Sequence, residues 1–321
     1  QLLHNTGKFK KSRMSNIIIL DGGMGRELAR RKAPFQQPEW SALALYQQPS
    51  AVQSVHEDFI KSGAQVITTN SYAVVPFHIG EQRFQADGKM LADLAGRLAK
   101  SAVENSSISH LNIAGSIPPL FGSYRFDLYQ PERVQEVAQP IIDGLSPYVD
   151  FWLCETQSSA TEPQAIKPLL PKDDRPLWVA FTLQDDEPTD VPRLRSGETV
   201  QSAVEKMIEL GVEAILFNCC QPEVIQQALL VTQKTLKIHH ATNIRIGAYA
   251  NAFPPQPKDA TANDGLDEIR EDLNPQQYLL WAEKWIESGA TIIGGCCGIG
   301  PEHIKVLAEK FGEAFINEPQ P

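Results

Sequence analysis

No run among the 321 residues approaches the roughly 18 to 20 consecutive apolar side chains that a bilayer crossing requires, so a membrane is not expected as partner. Basic residues are scarce. Lys and Arg total 29 against 39 Asp and Glu, for a formal net charge of −10, and beyond the first thirteen residues they form no dense patch. Nucleic acid is therefore not expected as a partner either. No H-E-x-x-H pair occurs among the seven histidines, which removes support for a histidine-based zinc hydrolase. His78 reads as a surface loop residue. No G-x-G-x-x-G turn follows the first apolar run; Asp21-Gly-Gly-Met-Gly25 comes nearest and lacks the spacing. Cysteine is sparse as well, at five, and an odd count with two adjacent pairs disfavours a disulfide framework. Gln1 to Arg13 carry no Met start and no apolar signal region, and read as an expression remnant or disordered arm. Cytoplasmic chemistry is the expectation, with residues 14–321 as one domain.

What is present is a regular alternation. Short apolar runs begin at Asn16, Gln65, Leu111, Asp150, Leu177, Ala214, Arg245 and Thr291, and helical patterns separate most of them. The clearest helical stretches are Ala51–Ser62, Met90–Ser101, Pro131–Leu145 and Gln276–Ser288. In the last, Leu279, Leu280, Ala282 and Ile286 form a stripe flanked by Trp281 and Trp285. Near-continuous apolar strands joined by helices mean parallel strands covered on both faces. Eight such units fit an α/β fold of the (β/α)₈ TIM-barrel type in a single domain. Two polar excursions, Phe121–Pro131 and Pro254–Asn274, read as loops at the C-terminal face of the strands, where barrel enzymes build their sites.

The chemistry concentrates at the ends of the sixth and eighth runs, Asn218-Cys219-Cys220 and Gly294-Gly-Cys296-Cys297-Gly298. Both pairs fall at the rim of the barrel, one strand apart. Neighbouring thiols there can converge on one ion, and Zn²⁺ with sulfur ligands and one open position is the chemistry they suit. Gly294-Gly295 reads as the bend that lets the pair point at one ion. Inert buried cysteines are the competing reading. Cys154, ending the fourth run, reads as a packed strand residue.

Asp21-Gly-Gly-Met-Gly25, Thr69-Asn70, Glu155-Thr156, Asn218-Cys219 and Gly294-Gly-Cys-Cys297 occur in that order, and together they resemble the homocysteine S-methyltransferase family. The likeness spans about Asn16 to Phe311. It implies a (β/α)₈ barrel and a Zn²⁺ cofactor held by Cys219, Cys296 and Cys297, with Cys220 left as the alternative to Cys219. It also implies homocysteine recognition by Asp21 and Glu155 through the ammonium, with Gly22, Thr69, Asn70 and Ser116 as lesser contacts. Asn251 matches the family's asparagine near the metal; a loop-ordering role is the alternative. The sequence departs from the family pattern at Arg26, where a small Thr is usual, at Gly298, where Arg often follows the cysteines, at Ala250 and Phe253, and at Pro118-Pro119.

The function this implies is transfer of a methyl group from a small donor, S-methylmethionine or S-adenosylmethionine, to homocysteine, forming methionine. Betaine- or selenocysteine-type methyl transfer is the alternative within the class. A non-catalytic zinc- or thiol-binding barrel and a thiol redox protein are the alternatives outside it. The partners expected are small molecules.

Overall fold

A computed structural model of the chain describes residues 16–255 and 268–312. The arm at 1–13 and the middle of the loop expected over Pro254–Asn274 lie outside the described residues. Eight parallel strands follow one another in chain order around a barrel: β1 (Ile18–Ile19), β2 (Val66–Thr68), β3 (Asn112–Ile117), β4 (Phe151–Gln157), β5 (Leu177–Phe181), β6 (Ala214–Asn218), β7 (Arg245–Ala250) and β8 (Ile292–Gly295). β1 pairs with β8, and a parallel bridge from Leu20 to Val66 closes the ring beside β2. The expected (β/α)₈ barrel is therefore the observed fold.

Alternation along each strand explains both cores. One set of side chains, including Ile18, Val66, Ala114, Phe151, Leu153, Trp178, Leu216 and Ile292, fills the barrel interior. Their neighbours in sequence, including Ile19, Ile67, Ile113, Trp152, Val179, Ile215 and Ile293, pack outward against the helices. Continuing the inward set toward the C-terminal rim changes its chemistry: Phe151-Leu153 leads to Glu155, Ala114 to Ser116, and Leu216 to Asn218. The interior is apolar below and polar at the mouth.

The helices differ from expectation in two places. The stretch expected at Met90–Ser101 is a helix over Glu81–Glu104. Gly88 is buried within that helix. The neighbouring helix Val134–Leu145 crosses it closely at Gly144, where a Cβ would lie 2.6 Å from the Lys89 carbonyl oxygen. The second difference is in helix Pro275–Glu287, whose buried face is Tyr278, Ala282 and Trp285. Leu280, expected in the stripe, is 59% exposed, whereas Trp285 is fully buried in the outer layer, as a packing role for the flanking tryptophans implies. The Tyr278 hydroxyl anchors this face by donating to the Gly294 carbonyl at 2.6 Å. No described helix is long and apolar enough to cross a membrane.

Candidate active site at the mouth of the barrel

The last turn of β4 is irregular. Its register against β5 shifts between Cys154 and Gln157, and Thr156 has φ +57°, a conformation that a β-branched residue adopts only under constraint. Asn218, at the end of β6, supplies the constraint. Its Oδ1 accepts from the Thr156 backbone N–H at 3.0 Å, and its Nδ2 donates to Thr156 Oγ1 at 2.9 Å. Alternation already turns Glu155 into the barrel mouth, and the irregularity beside it is where that alternation ends. There its carboxylate accepts from the Ser116 hydroxyl and, at 3.1 Å, from the Tyr249 hydroxyl. Ser116 is itself held by its backbone N–H, which donates to Thr69 Oγ1 at 3.0 Å.

Asp21, at the end of the first strand, accepts from the Thr68 backbone N–H at 2.9 Å. Burial pushes its carboxyl up to about 8, against that hydrogen bond and with help from the nearby Glu155. Burial likewise raises Glu155 to about 7, although Ser116 and Tyr249 favour its ionised form. Two carboxyls so desolvated are poised to be ionised by a cation that enters beside them.

Across the mouth, Cys219, Cys296 and Cys297 bring their sulfurs within 4.8 Å of one another, and Cys296 Sγ lies 3.1 Å from Cys219 Sγ. A tetrahedral Zn–S site with bonds near 2.3 Å separates its sulfurs by roughly 3.8 Å, within that spread. The three sulfurs can therefore hold a metal ion. Asn251 adds a second sign: its Oδ1 is buried without a partner, while its amide also favours the ionised Cys219. Negative charge concentrates on Cys219, held well below an ordinary thiol by hydrogen bonds from Cys296 and Cys297, while those two are pushed up. Cys220 points away, is fully buried in the outer core, and burial raises its pKa. Cys154 is likewise fully buried.

The bend expected at Gly294-Gly295 lies elsewhere. Gly294 and Gly295 belong to β8 and stay in its strand. The turn comes after the cysteine pair, at Gly298 with φ +84°. On the opposite wall Gly23 lets the first loop approach, since a Cβ there would lie 2.6 Å from the Cys296 carbonyl oxygen.

The resulting cavity has a volume of about 220 Å³. Of the residues expected in a site, Asp21, Gly22, Thr69, Asn70, Glu155, Asn251, Cys219, Cys296 and Cys297 line it. Ser116 stands behind Glu155 and does not line it. Tyr72, Tyr124, Tyr249, Phe253 and Arg26 also line it. The tyrosines had no sequence signal beyond their positions shortly after, or at the end of, apolar runs. His78, expected on the surface, is buried and lines the cavity, with Nδ1 at 3.0 Å from the Pro38 carbonyl. Beneath Tyr124, Arg195 stacks on the ring at 4.9 Å and forms a buried ion pair with Asp185 at 3.0 Å.

A (β/α)₈ barrel with three converging cysteines and two buried carboxyls at its mouth defines a thiol-rich, metal-competent enzyme class. Residues 18–311 match the family model described as homocysteine S-methyltransferase, and the chain belongs to that family. It is 28% identical to the homocysteine S-methyltransferase of Escherichia coli, over 91% of this chain and 94% of that protein. The selenocysteine methyltransferase of Astragalus bisulcatus is 25% identical, over 94% of this chain and 92% of its own. Among solved structures, the metallated homocysteine methyltransferase MmuM from E. coli superposes with TM-score 0.74 at 28% identity, covering 97% of this chain and all of that one.

Proposed function

We propose that this chain transfers a methyl group from a small sulfonium donor, S-methylmethionine or S-adenosylmethionine, to homocysteine, with zinc held by Cys219, Cys296 and Cys297. The product is methionine, and a cytoplasmic setting suits three reduced thiols. The observation that carries the reading is the three sulfurs within 4.8 Å, facing the same cavity as the buried Asp21 and Glu155.

Zinc, when bound, supplies the Lewis acidity that keeps an added thiol ionised near neutral pH. The protein does the rest. Asp21 and Glu155 receive the substrate ammonium; Ser116 and Tyr249 fix the Glu155 carboxylate so that it need not reorganise. Thr69 and Asn70 brace this wall, Asn70 by donating to the Ser41 carbonyl at 3.1 Å, and Gly22 lets the loop after β1 pack against Ile299, whose carbonyl oxygen a Cβ would meet at 2.1 Å. Asn251 Oδ1 is a polar atom free to complete the metal's surroundings before substrate arrives. Tyr72, Tyr124 and Phe253 line the cavity and supply the aromatic surroundings that suit a sulfonium. The step is proximity catalysis: the acceptor sulfur attacks the methyl carbon, the carbon–sulfur bond of the donor breaks, and its electron pair leaves with the departing thioether.

The test is methionine formation by zinc-loaded protein from homocysteine with S-methylmethionine, S-adenosylmethionine and betaine offered separately. Turnover with a sulfonium is expected. No turnover with any donor, at one zinc per chain, overturns the reading. Because a selenocysteine methyltransferase is among the relatives, selenocysteine is the acceptor to compete against homocysteine in the same assay.

A further inference from the structure

The chain that carries Cys219 is gripped by the loop after β5. Residues 182–199 fold back on themselves through antiparallel bridges from Leu183 to Leu194 and from Arg193 to Thr199. From this loop Thr182 Oγ1 donates to the Cys219 carbonyl at 3.1 Å, and Asp185 Oδ2 accepts from the Gln221 backbone N–H at 3.0 Å. Asp185 Oδ1 also pairs with Arg195 at 3.0 Å, both side chains being buried. The Arg195 guanidinium in turn lies 4.9 Å from the centroid of the Tyr124 ring. A buried ion pair gains in attraction little more than it loses in hydration, so what this one supplies is position.

Tyr124 lines the cavity and has φ +65°, a left-handed conformation that costs energy in a residue with a Cβ. A hydrogen bond from Tyr124 favours the ionised Cys219. Burial, with the charge of Cys219, pushes the phenol well above its ordinary value, so the hydroxyl keeps the proton it donates. A cation on the ring face draws electron density from the phenol and strengthens that donation. We propose that Tyr124 is a positioning residue of the sulfur site: its hydroxyl donates to Cys219 Sγ, and the Asp185–Arg195 pair beneath the ring holds it there. The inference rests on the metal-binding part of the proposed function and gives Tyr124 a role beyond that of cavity wall.

Cobalt(II) is the probe, because charge transfer from a thiolate to this metal reports how tightly the sulfur holds its electrons. Reduced wild type, Tyr124→Phe, the double variant Asp185→Asn/Arg195→Met and the triple variant are titrated with cobalt(II) in competition with a chelator. Removing both charges together leaves no orphaned buried ion, and asparagine keeps an oxygen for the Gln221 N–H. Tyr124→Phe tests the hydrogen bond whether or not the double variant folds. It is expected to move the sulfur-to-cobalt band to longer wavelength, since a thiolate that loses a donor gives up its electrons more readily. Metal binding is expected to weaken by about tenfold. The double variant should shift the band in the same direction, and the triple variant no further than Tyr124→Phe alone. An unchanged band and affinity in Tyr124→Phe overturn the hydrogen bond. No shift in the double variant, or full additivity in the triple one, overturns the role of the ion pair. Wild type that takes up no cobalt overturns the metal site and this inference together. The expected shifts in a protein that transfers no methyl group overturn the proposed reaction and not this inference.

Discussion

Replacing Glu155 with Gln should make the ligand-free protein more stable while weakening its hold on an ammonium-bearing substrate. The folded protein raises this carboxyl from the ordinary 4.5 to about 7, chiefly through burial. Between those values the unfolded chain ionises Glu155 and the folded one does not. Wild-type stability from this group is therefore complete below pH 4.5 and is lost as pH rises through about 7. The interval corresponds to about 3 kcal/mol at pH 8, or about 5 °C in melting temperature for a chain of this size. Glutamine never ionises and keeps an oxygen for one of the two hydroxyls, while its amide can donate to the other. The assay is thermal unfolding of reduced, metal-free wild type and Glu155→Gln from pH 4 to pH 8, so that acid release of metal does not enter. A gap in favour of the variant should open across the window. Growth of the gap with pH isolates ionisation from any fixed change in hydrogen bonding. A gap independent of pH, or one that grows against the variant, would refute the reasoning.

Cys296→Ala should lose both bound zinc and methyl transfer, whereas Cys220→Ala, whose thiol faces the outer core, should keep them; zinc content by mass spectrometry reads both. Asn218→Ala removes the two hydrogen bonds that hold Thr156 at positive φ. It should lower kcat/KM by about tenfold or more, because the backbone beside Glu155 loses its bracing; Asn218 Nδ2 also lies 3.9 Å from Cys296 Sγ, so zinc content is measured alongside. Gly298→Ala combines a left-handed φ with a Cβ 2.9 Å from that of Ala252. It should cost about 1–3 kcal/mol in chemical denaturation.

The barrel was legible because each strand is buried on both faces, and double burial leaves an apolar run that periodicity detects. Leu177–Phe181 was read with the bounds that the structure shows. The helix over Glu81–Glu104 is twice the length that its apolar pattern marks, because its first turns, from Glu81 to Lys89, are mostly polar and exposed and leave little apolar periodicity. Leu280 falls outside the buried face since a one-residue rotation of a helix face changes few pattern matches. At the site, the cysteines and carboxyls stood out by residue type at strand ends. Tyr72, Tyr124 and Tyr249 did not: an aromatic near a strand end is ordinary core composition until the loop places it.

The choice between Cys219 and Cys220 shows where periodicity fails in principle. The inward set on β6 runs Ala214, Leu216, Asn218, so continued alternation turns Cys220 into the barrel mouth and Cys219 out. The structure does the reverse, because Cys219 has φ +55°. One left-handed residue reverses the alternation. That conformation is held from three sides. The Cys219 backbone N–H donates to the Tyr249 carbonyl at 3.3 Å, Thr182 Oγ1 donates to the Cys219 carbonyl at 3.1 Å, and the Asn251 N–H donates to the Cys220 carbonyl at 3.0 Å. Thr156 takes the same conformation at the end of β4, held by Asn218. The residue that turns the thiol and the one that follows the carboxylate are thus both non-glycine residues in left-handed backbone. Tertiary hydrogen bonds from neighbouring strands impose that backbone, and no local pattern encodes it.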